Sequence, residues 1–253
     1  MKAGERRSWL ALAAGVLGVL AVVDAAGGAA LAHFGFIRPA AGYELFRLGV
    51  AEAALGVLVA LAAFARTGVR SQRTGRPLAW LGLLASAGVL LVLAAIWNAG
   101  RGFPSLYDVT TNFADPPAFV AALGDPGNAG QDLAYLPSSR LEQSQAYPDI
   151  APIRVATPPA ETIAAARRAA EAIGLEVTDE RPPAAADGEG ALEAREASRV
   201  FRFVDDFVVR VRPTPDGGSV VDVRSRSRLG KADFGVNARR IRAFKSALTR
   251  SES

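Results

Sequence analysis

Residues 78–97 read LAWLGLLASAGVLLVLAAIW, a run of 20 residues that contains no charged side chain. Two further apolar runs precede it, at residues 9–31 and 45–65. About 20 helical residues are needed to cross the hydrocarbon core of a bilayer, because every backbone polar group there must be hydrogen-bonded within the segment. Tryptophans, which favour the membrane interface, lie near the ends of the runs: Trp9, Trp80 and Trp97. The sequence therefore predicts three transmembrane helices.

Basic residues are distributed unevenly around these predicted helices. Seven lie before the first helix or between the second and third: Lys2, Arg6, Arg7, Arg66, Arg70, Arg73 and Arg76. Three lie on the opposite side: Arg38, Arg47 and Arg101. Because basic loops stay in the cytoplasm, we expect a multi-pass membrane protein with a cytoplasmic N-terminus and an extracytoplasmic C-terminal domain. A cleaved signal peptide ending at Ala30-Leu31-Ala32 is the alternative for the first run, although that run is longer than a usual signal core.

Two acidic residues interrupt the first and second runs at matching depth. Asp24 and Glu52 each lie about 10–12 Å below the outer interface at the helical rise of about 1.5 Å per residue. An acid at this depth is a candidate proton relay or cation site. The other interpretation is a hydrogen bond across a helix pair that packs through glycines.

The residue types that are missing exclude several kinds of chemistry. The 253 residues include no cysteine and one histidine, His33, and carry a formal net charge of +4. Without cysteine the chain has no disulfide, no thiolate nucleophile and no cysteine-type zinc site. A single histidine excludes a multi-histidine metal site. We therefore expect no cofactor and no metal, and we find no catalytic set in the sequence.

The composition becomes polar and rich in proline after a transmembrane region at residues 1–98. Residues 99–149 lack clear periodicity and are predicted as an extended Pro-rich segment, with a short helix at 118–123. Residues 150–253 are predicted as an α+β core. Its predicted elements are a strand at 150–156, a helix capped by Thr157 and ended by Gly174, strands at 175–178, 198–204, 207–212 and 219–227, and a final helix with Asn237 as N-cap. This order predicts an α+β domain with a mainly antiparallel sheet and helices on one face.

The last predicted strand is unusually basic. With a period of two, four side chains share one face: Asp222, Arg224, Arg226 and Arg228. The opposite face carries Val221, Val223, Ser225 and Ser227, and Lys231 follows the strand. Arg210 and Arg212 of the neighbouring strand can extend the basic face.

This region resembles a known family. The run DVRSRSRLGKADFGVNARRIRAF, the segment FVDDFVVRV before it, and DVTTNFADPPAF and YPDI further upstream occur in the order found in the membrane-associated domain-of-unknown-function family numbered 1499. The resemblance covers most of residues 103–248, and many bacterial members also carry hydrophobic N-terminal spans. It supports the domain boundaries, and together with the predicted spans it leads us to expect a protein of the bacterial inner membrane. It implies no activity, substrate or catalytic residue.

Several interpretations of the basic strand remain open. One is a ladder of ion pairs, in which Asp205, Asp206 and Asp222 balance the arginines. Another is a binding site for an anion, because planar guanidinium groups bind carboxylate and phosphate in a bidentate manner. Its ligand-binding residues would be Arg224, Arg226, Arg228, Lys231 and Asp222. Nucleic acid is not expected as a partner, because no aromatic residues interleave with the arginines.

Two further segments carry alternative hypotheses. Asp205 and Asp206, predicted at a tight hairpin link, form a possible acid pair for a cofactor-free hydrolase. The segment Asp108–Phe119 is either a polar loop at a ligand pocket or a set of turns whose side chains bond their own backbone over buried phenylalanines.

We expect a membrane-anchored extracytoplasmic module that binds an anionic ligand of the cell envelope. The possible partners are an anionic lipid of the bilayer, a cell-wall polymer or an acidic protein. The alternatives are the hydrolase that uses Asp205 and Asp206, and a small proton-coupled membrane device that uses Asp24 and Glu52.

Overall fold

The structure, a computed structural model, describes residues 6–67, 73–185, 188–230 and 232–250. The chain divides into two compact units. The first comprises Met1–Arg101 with Arg199–Arg202, and the second comprises Gly102–Ser198 with Phe203–Ser253. We refer to them as the helical unit and the α+β domain.

The helical unit contains three long helices, α1 (Trp9–His33), α2 (Pro39–Arg66) and α3 (Arg76–Gly100). By length and composition each could cross a membrane, which confirms the three predicted spans. Two short strands, β1 (Arg6–Arg7) and β2 (Arg73–Thr74), pair in parallel beside them.

Small residues form the contacts between these helices. A Cβ atom on Gly18 of α1 would lie only 2.7 Å from the Cα atom of Gly82 on α3. One on Gly49 of α2 would lie 2.6 Å from the carbonyl oxygen of Ala21 on α1. Glycine and alanine therefore let the backbones approach closely, as in many membrane helix pairs.

The described part of the α+β domain contains six strands and three α-helices. The strands are β3 (Asp108–Thr110), β4 (Ile153–Val155), β5 (Glu176–Arg181), β6 (Gly190–Ala197), β7 (Val204–Pro213) and β8 (Ser219–Ser227). The helices are α4 (Ser139–Ala146), α5 (Pro159–Ala172) and α6 (Val236–Arg250). The sheet order is β3-β8-β7-β6-β5, β4 also pairs with β8, and every one of these pairings is antiparallel. The predicted α+β fold with a mainly antiparallel sheet is confirmed.

The two longer helices of the domain cover one face of the sheet. Helix α5 contributes Ile163, Ala166 and Ala170 to the core, and α6 contributes Ile241, Phe244 and Leu248. They pack on alternate residues of the central strands: Phe207, Val209 and Val211 of β7, and Val221 and Val223 of β8. The alternation places the intervening residues of β7 and β8 on the opposite face of the sheet.

The prediction was wrong for the strand that precedes β7. Residues 190–197 form β6, whereas residues 198–203 connect it to β7. Asp205 and Asp206 consequently lie within β7 and not in a hairpin link. The sequence of β6, GALEAREA, is rich in helix-favouring residues, and its extended form is imposed by pairing with β5 and β7.

Regular structure also occurs within residues 99–149, where none but a short helix was predicted. The additions are β3, α4 and two 3₁₀ turns at Ala121–Gly124 and Pro126–Asn128. Strand β3 is three residues long, and α4 buries only Gln143, so neither produces a hydrophobic period.

Two predicted helix caps differ in detail. Helix α5 begins after Pro158, and the hydroxyl of Thr157 instead lies 2.8 Å from that of Thr162. At α6 the carboxylate of Asp233 accepts the backbone N–H of Asn237 at 2.6 Å, so Asp233 caps the helix.

Candidate functional site

The basic strand, β8, lies between β7 and the short strands β3 and β4, and presents its charges to the face opposite α5 and α6. Residues 111–135, which we call the covering segment, pack over this charged face. Phe119 and Leu133 of the segment form a small apolar cluster with Val208 of β7. Polar contacts hold the rest of the segment in place.

Arg224 is buried and binds both β3 and the covering segment. Its guanidinium makes a bidentate pair with Asp108, with Nε–Oδ1 at 2.9 Å and Nη2–Oδ2 at 2.6 Å. It also donates to the carbonyl oxygens of Pro117 at 3.2 Å and Leu133 at 2.8 Å. Arg224 therefore links the sheet to the covering segment, and we call an arginine that makes such a link a clamp.

Arg228 forms a second clamp of the same kind. It donates to both carboxylate oxygens of Asp206, at 2.9 and 2.6 Å, and to both oxygens of Asp125, at 2.9 and 3.0 Å. The hydrogen bond from Arg228 holds the pKa of Asp125 below its ordinary value, with the Gly127 N–H adding to the effect against the opposing effect of burial. Asn128 also donates to Asp206, at 2.9 Å.

Asp222 is fully buried and accepts hydrogen bonds from three side chains. Arg210 and Arg212 of β7 donate at 2.9 and 2.6 Å, and Asn112 of the covering segment donates at 3.3 Å. Each of these arginines leaves its Nε without an acceptor but uses a terminal nitrogen to bind Asp222. The ladder of ion pairs, one of the interpretations of the basic strand, is therefore present around Asp222.

Arg226, between the two clamps, is different. It is 7% exposed, and its Nε and Nη1 atoms are buried without a hydrogen-bond partner. Among the described residues its guanidinium has only a long contact of 4.0 Å from Nε to Asp108 and the ring of Tyr107 at 5.9 Å. Strand pairing places it opposite Asp108 and Asp206, whose carboxylates are bound by Arg224 and Arg228. The guanidinium of Arg226 can therefore still donate hydrogen bonds to another acceptor.

The other predicted site residues lie apart from this cluster. Lys231 is outside the described residues. Asp205 and Asp206 point to opposite faces of β7, because adjacent residues of an extended strand alternate. Asp205 instead pairs with Arg240 of α6 at 2.7 Å, and its pKa is raised because burial outweighs the effect of that guanidinium. The structure thus does not bring Asp205 and Asp206 together into one site.

Asp24 and Glu52 of the helical unit are brought together. Their carboxyl groups lie close enough to interact across the interface between α1 and α2. The Oε2 atom of Glu52 is buried without a hydrogen-bond partner. Within the described ranges, no group of three or more His, Asp or Glu side chains could hold a metal ion.

Sequence reasoning did not find the acids that hold the covering segment. Asp108 and Asp125 bind the clamps, and Glu193 of β6 accepts the backbone N–H groups of Val120, Ala121 and Ala122 at 2.8–3.0 Å. The turn interpretation of Asp108–Phe119 is partly present, because Asn112 accepts the N–H groups of Ala114 and Asp115. Asp108 itself is more than 110 residues from Arg224, and no local pattern connects the two.

A cleft of about 490 Å³ opens between the covering segment and the start of α4. Its walls are mostly apolar and aromatic and include Phe113, Phe119, Leu133 and Tyr135. Burial raises the pKa of Tyr135 to about 12. Arg224 of β8 and Arg140 of α4 also line the cleft. Part of the segment Asp108–Phe119 therefore lines a pocket, as the other interpretation of this segment predicted.

These features define a class of protein: three helices able to span a membrane, followed by an α+β domain whose charged sheet face is closed by an irregular segment. The sequence model of the family described as "Protein of unknown function (DUF1499)" matches residues 108–248, more than half of the chain. The chain belongs to this family, as its sequence motifs indicated. No curated protein and no solved structure matches it.

Proposed function

We propose that the protein is an extracytoplasmic binding module of the bacterial inner membrane, in which Arg226 receives an anionic group of an envelope ligand. The three helices anchor the chain, and the α+β domain carries the site. The ligand is a lipid head group, a cell-wall polymer or an acidic partner protein.

The observation that carries this proposal is the unpartnered guanidinium of Arg226. Buried polar side chains nearly always have hydrogen-bond partners. Two buried nitrogens of Arg226 have none, which supports a ligand as the source of the acceptor. A carboxylate or phosphate supplies acceptor oxygens in the geometry that a guanidinium prefers. The neighbouring arginines cannot take this role as readily, because Asp108, Asp125 and Asp206 already occupy them.

The proposal is tested with inorganic phosphate as the probe and the full chain in nanodiscs of zwitterionic lipid. We expect saturable phosphate binding that weakens at least tenfold in Arg226→Gln and partly in Arg226→Lys, which keeps the charge but not the planar fork. Arg154→Gln is the matched control, because Arg154 is an exposed arginine of β4. Binding that is absent, or unchanged in Arg226→Gln, contradicts the proposal.

Competition then identifies the source of the anion. Phosphatidylglycerol in the nanodisc should weaken phosphate binding if the ligand is a lipid head group. A soluble fragment of wall polymer or an acidic peptide should do so if the ligand is one of the other two. Each competitor is repeated with Arg226→Gln, which should remove its effect.

A further inference from the structure

We propose that the cleft beside the covering segment is a second binding site, which takes a small amphipathic carboxylic acid with its apolar part between the aromatic walls and its carboxylate on Arg140. This site is independent of the proposed anion site, because Arg226 does not line the cleft.

The walls of the cleft suit an apolar body. Phe113 and Tyr135 stand with their ring centroids 6.5 Å apart, and Phe119 and Leu133 lie among the lining residues. Leu123, at the edge of the same cleft, is 60% exposed. A concave site lined mostly by apolar and aromatic side chains, with a few polar groups, has the character of a small-molecule site.

The positive charge of Arg140 at the cleft favours a ligand that carries a carboxylate. Arg140 is exposed and lies over the ring of Phe113, with its guanidinium carbon 5.6 Å from the centroid. Within the described part of the chain it has no carboxylate partner, so its planar fork is free to bind one. Asp132 is the acid of the lining, and one of its oxygens already accepts the N–H of Ala134.

The size of the cleft sets the size of the ligand. Its volume of about 490 Å³ lies in the usual range for small-molecule sites, about 300–1,000 Å³. Decanoate has twelve heavy atoms and, at about 30 Å³ each, takes up about 360 Å³. It therefore serves as the probe, and decan-1-ol, with the same chain and no charge, serves as its matched control.

The test uses the full chain in nanodiscs and a diazirine-bearing decanoate that crosslinks on illumination, with the labelled peptides mapped by mass spectrometry. We expect labelling within residues 113–140 that decanoate suppresses at a concentration at least tenfold lower than decan-1-ol. Ala134→Trp fills the cleft from an exposed position and should abolish this labelling. Arg140→Gln should weaken decanoate competition at least tenfold without affecting competition by decan-1-ol.

Controls separate this site from general effects. Arg154→Gln, which removes an exposed arginine elsewhere, should leave the labelling unchanged, and Arg226→Gln should leave it unchanged while phosphate binding is lost. Labelling confined to α1–α3, labelling that persists in Ala134→Trp, or equal competition by acid and alcohol in the wild-type chain would overturn the proposal.

Discussion

Arg224, Arg226 and Arg228 recur at every second position, but the protein compensates the cost of burying their charges to different extents. Arg224 and Arg228 each make four hydrogen bonds, of which two from Arg224 and all four from Arg228 go to carboxylates. Removing one partner of such a buried pair leaves the other charge uncompensated and costs several kcal/mol. Arg226 bears the cost of desolvation with little compensation from the protein.

Stability should therefore respond in opposite ways to the same substitution at two neighbouring positions. We expect Arg224→Met to lower the free energy of unfolding by about 3–5 kcal/mol, because Asp108 is left buried and unpaired. We expect Arg226→Met to be neutral or stabilising. The measurement is urea unfolding of the full chain in nanodiscs, read as the protease resistance of the α+β domain.

Phosphate provides the control for this comparison. A ligand that binds only the folded state stabilises it, so phosphate should raise the unfolding midpoint of the wild type and not that of Arg226→Met. Arg167→Gln, which breaks ion pairs of an exposed arginine with Glu171 and Glu180, should cost no more than about 1 kcal/mol. A large loss of stability in Arg226→Met would show that Asp108 and Asp206 depend on it.

Asp125 predicts a pH dependence with a defined sign. Its pKa in the folded protein lies below the ordinary value of 3.8, so in the acid range the unfolded chain binds more protons than the folded one. Its contribution to stability is complete above that value and is lost as the pH falls through the folded pKa. We expect Asp125→Asn to flatten the rise of stability with pH below about pH 4, measured by unfolding at several pH values. A slope equal to that of the wild type would contradict the importance of the pair with Arg228.

At the scale of elements, Glu193 anchors the first 3₁₀ turn of the covering segment to β6. Its carboxylate accepts three successive backbone N–H groups and also pairs with Arg181 at 2.7 Å. Hydrogen bonds to a charged acceptor contribute about 1.5–3 kcal/mol each. The covering segment therefore depends on a few strong polar contacts as well as on its small apolar cluster.

Hydrogen exchange should detect this dependence. We expect Glu193→Gln to speed exchange of the amides of residues 120–122 about tenfold or more, because the neutral amide is a weaker acceptor and offers only one carbonyl oxygen. Glu176→Gln on the exposed edge strand β5 is the matched control and should leave these amides unchanged. Equal protection in both variants would show that the turn is held by packing alone.

The elements differ in how far their sequences predict them. The bounds of β8 agree with the prediction, because valines and then serines alternate with charged residues along the strand. The composition of β6 favours a helix, and only its two neighbouring strands keep it extended. The charged face was predicted, but its burial was not, because the acids and carbonyl groups that make burial possible come from distant, irregular parts of the chain.

At the scale of the whole molecule, the apolar runs predicted the three helices directly, since a membrane span requires length and low polarity more than any tertiary contact. The distribution of basic residues gives the expected orientation. The cleft could not be predicted, because it forms between the covering segment and α4, and neither shows a sequence period.

The orientation is tested by site-specific labelling, which the absence of cysteine makes free of background. We expect a membrane-impermeant maleimide to label Ser246→Cys in intact cells, because Ser246 is exposed on α6 and the proposed orientation puts the α+β domain outside the cytoplasm. Ser71→Cys, between α2 and α3, should be labelled only after the membrane is permeabilised. The reverse pattern would place the domain in the cytoplasm and exclude envelope anions as ligands.

The pairing of β3 with β8 has a consequence for the order of folding during synthesis. Asp108 leaves the ribosome 116 residues before Arg224, its partner in the buried pair. The loop closed by this contact is among the longest in the domain, and such contacts form late because their closure costs the most chain entropy. Until β8 is made, Asp108 lacks Arg224 and Asp125 lacks Arg228. A chain that stops after β7 would therefore lack the contacts of Arg224 and Arg228, and we expect its covering segment, held by β6 and β7 alone, to be cleaved faster by proteases.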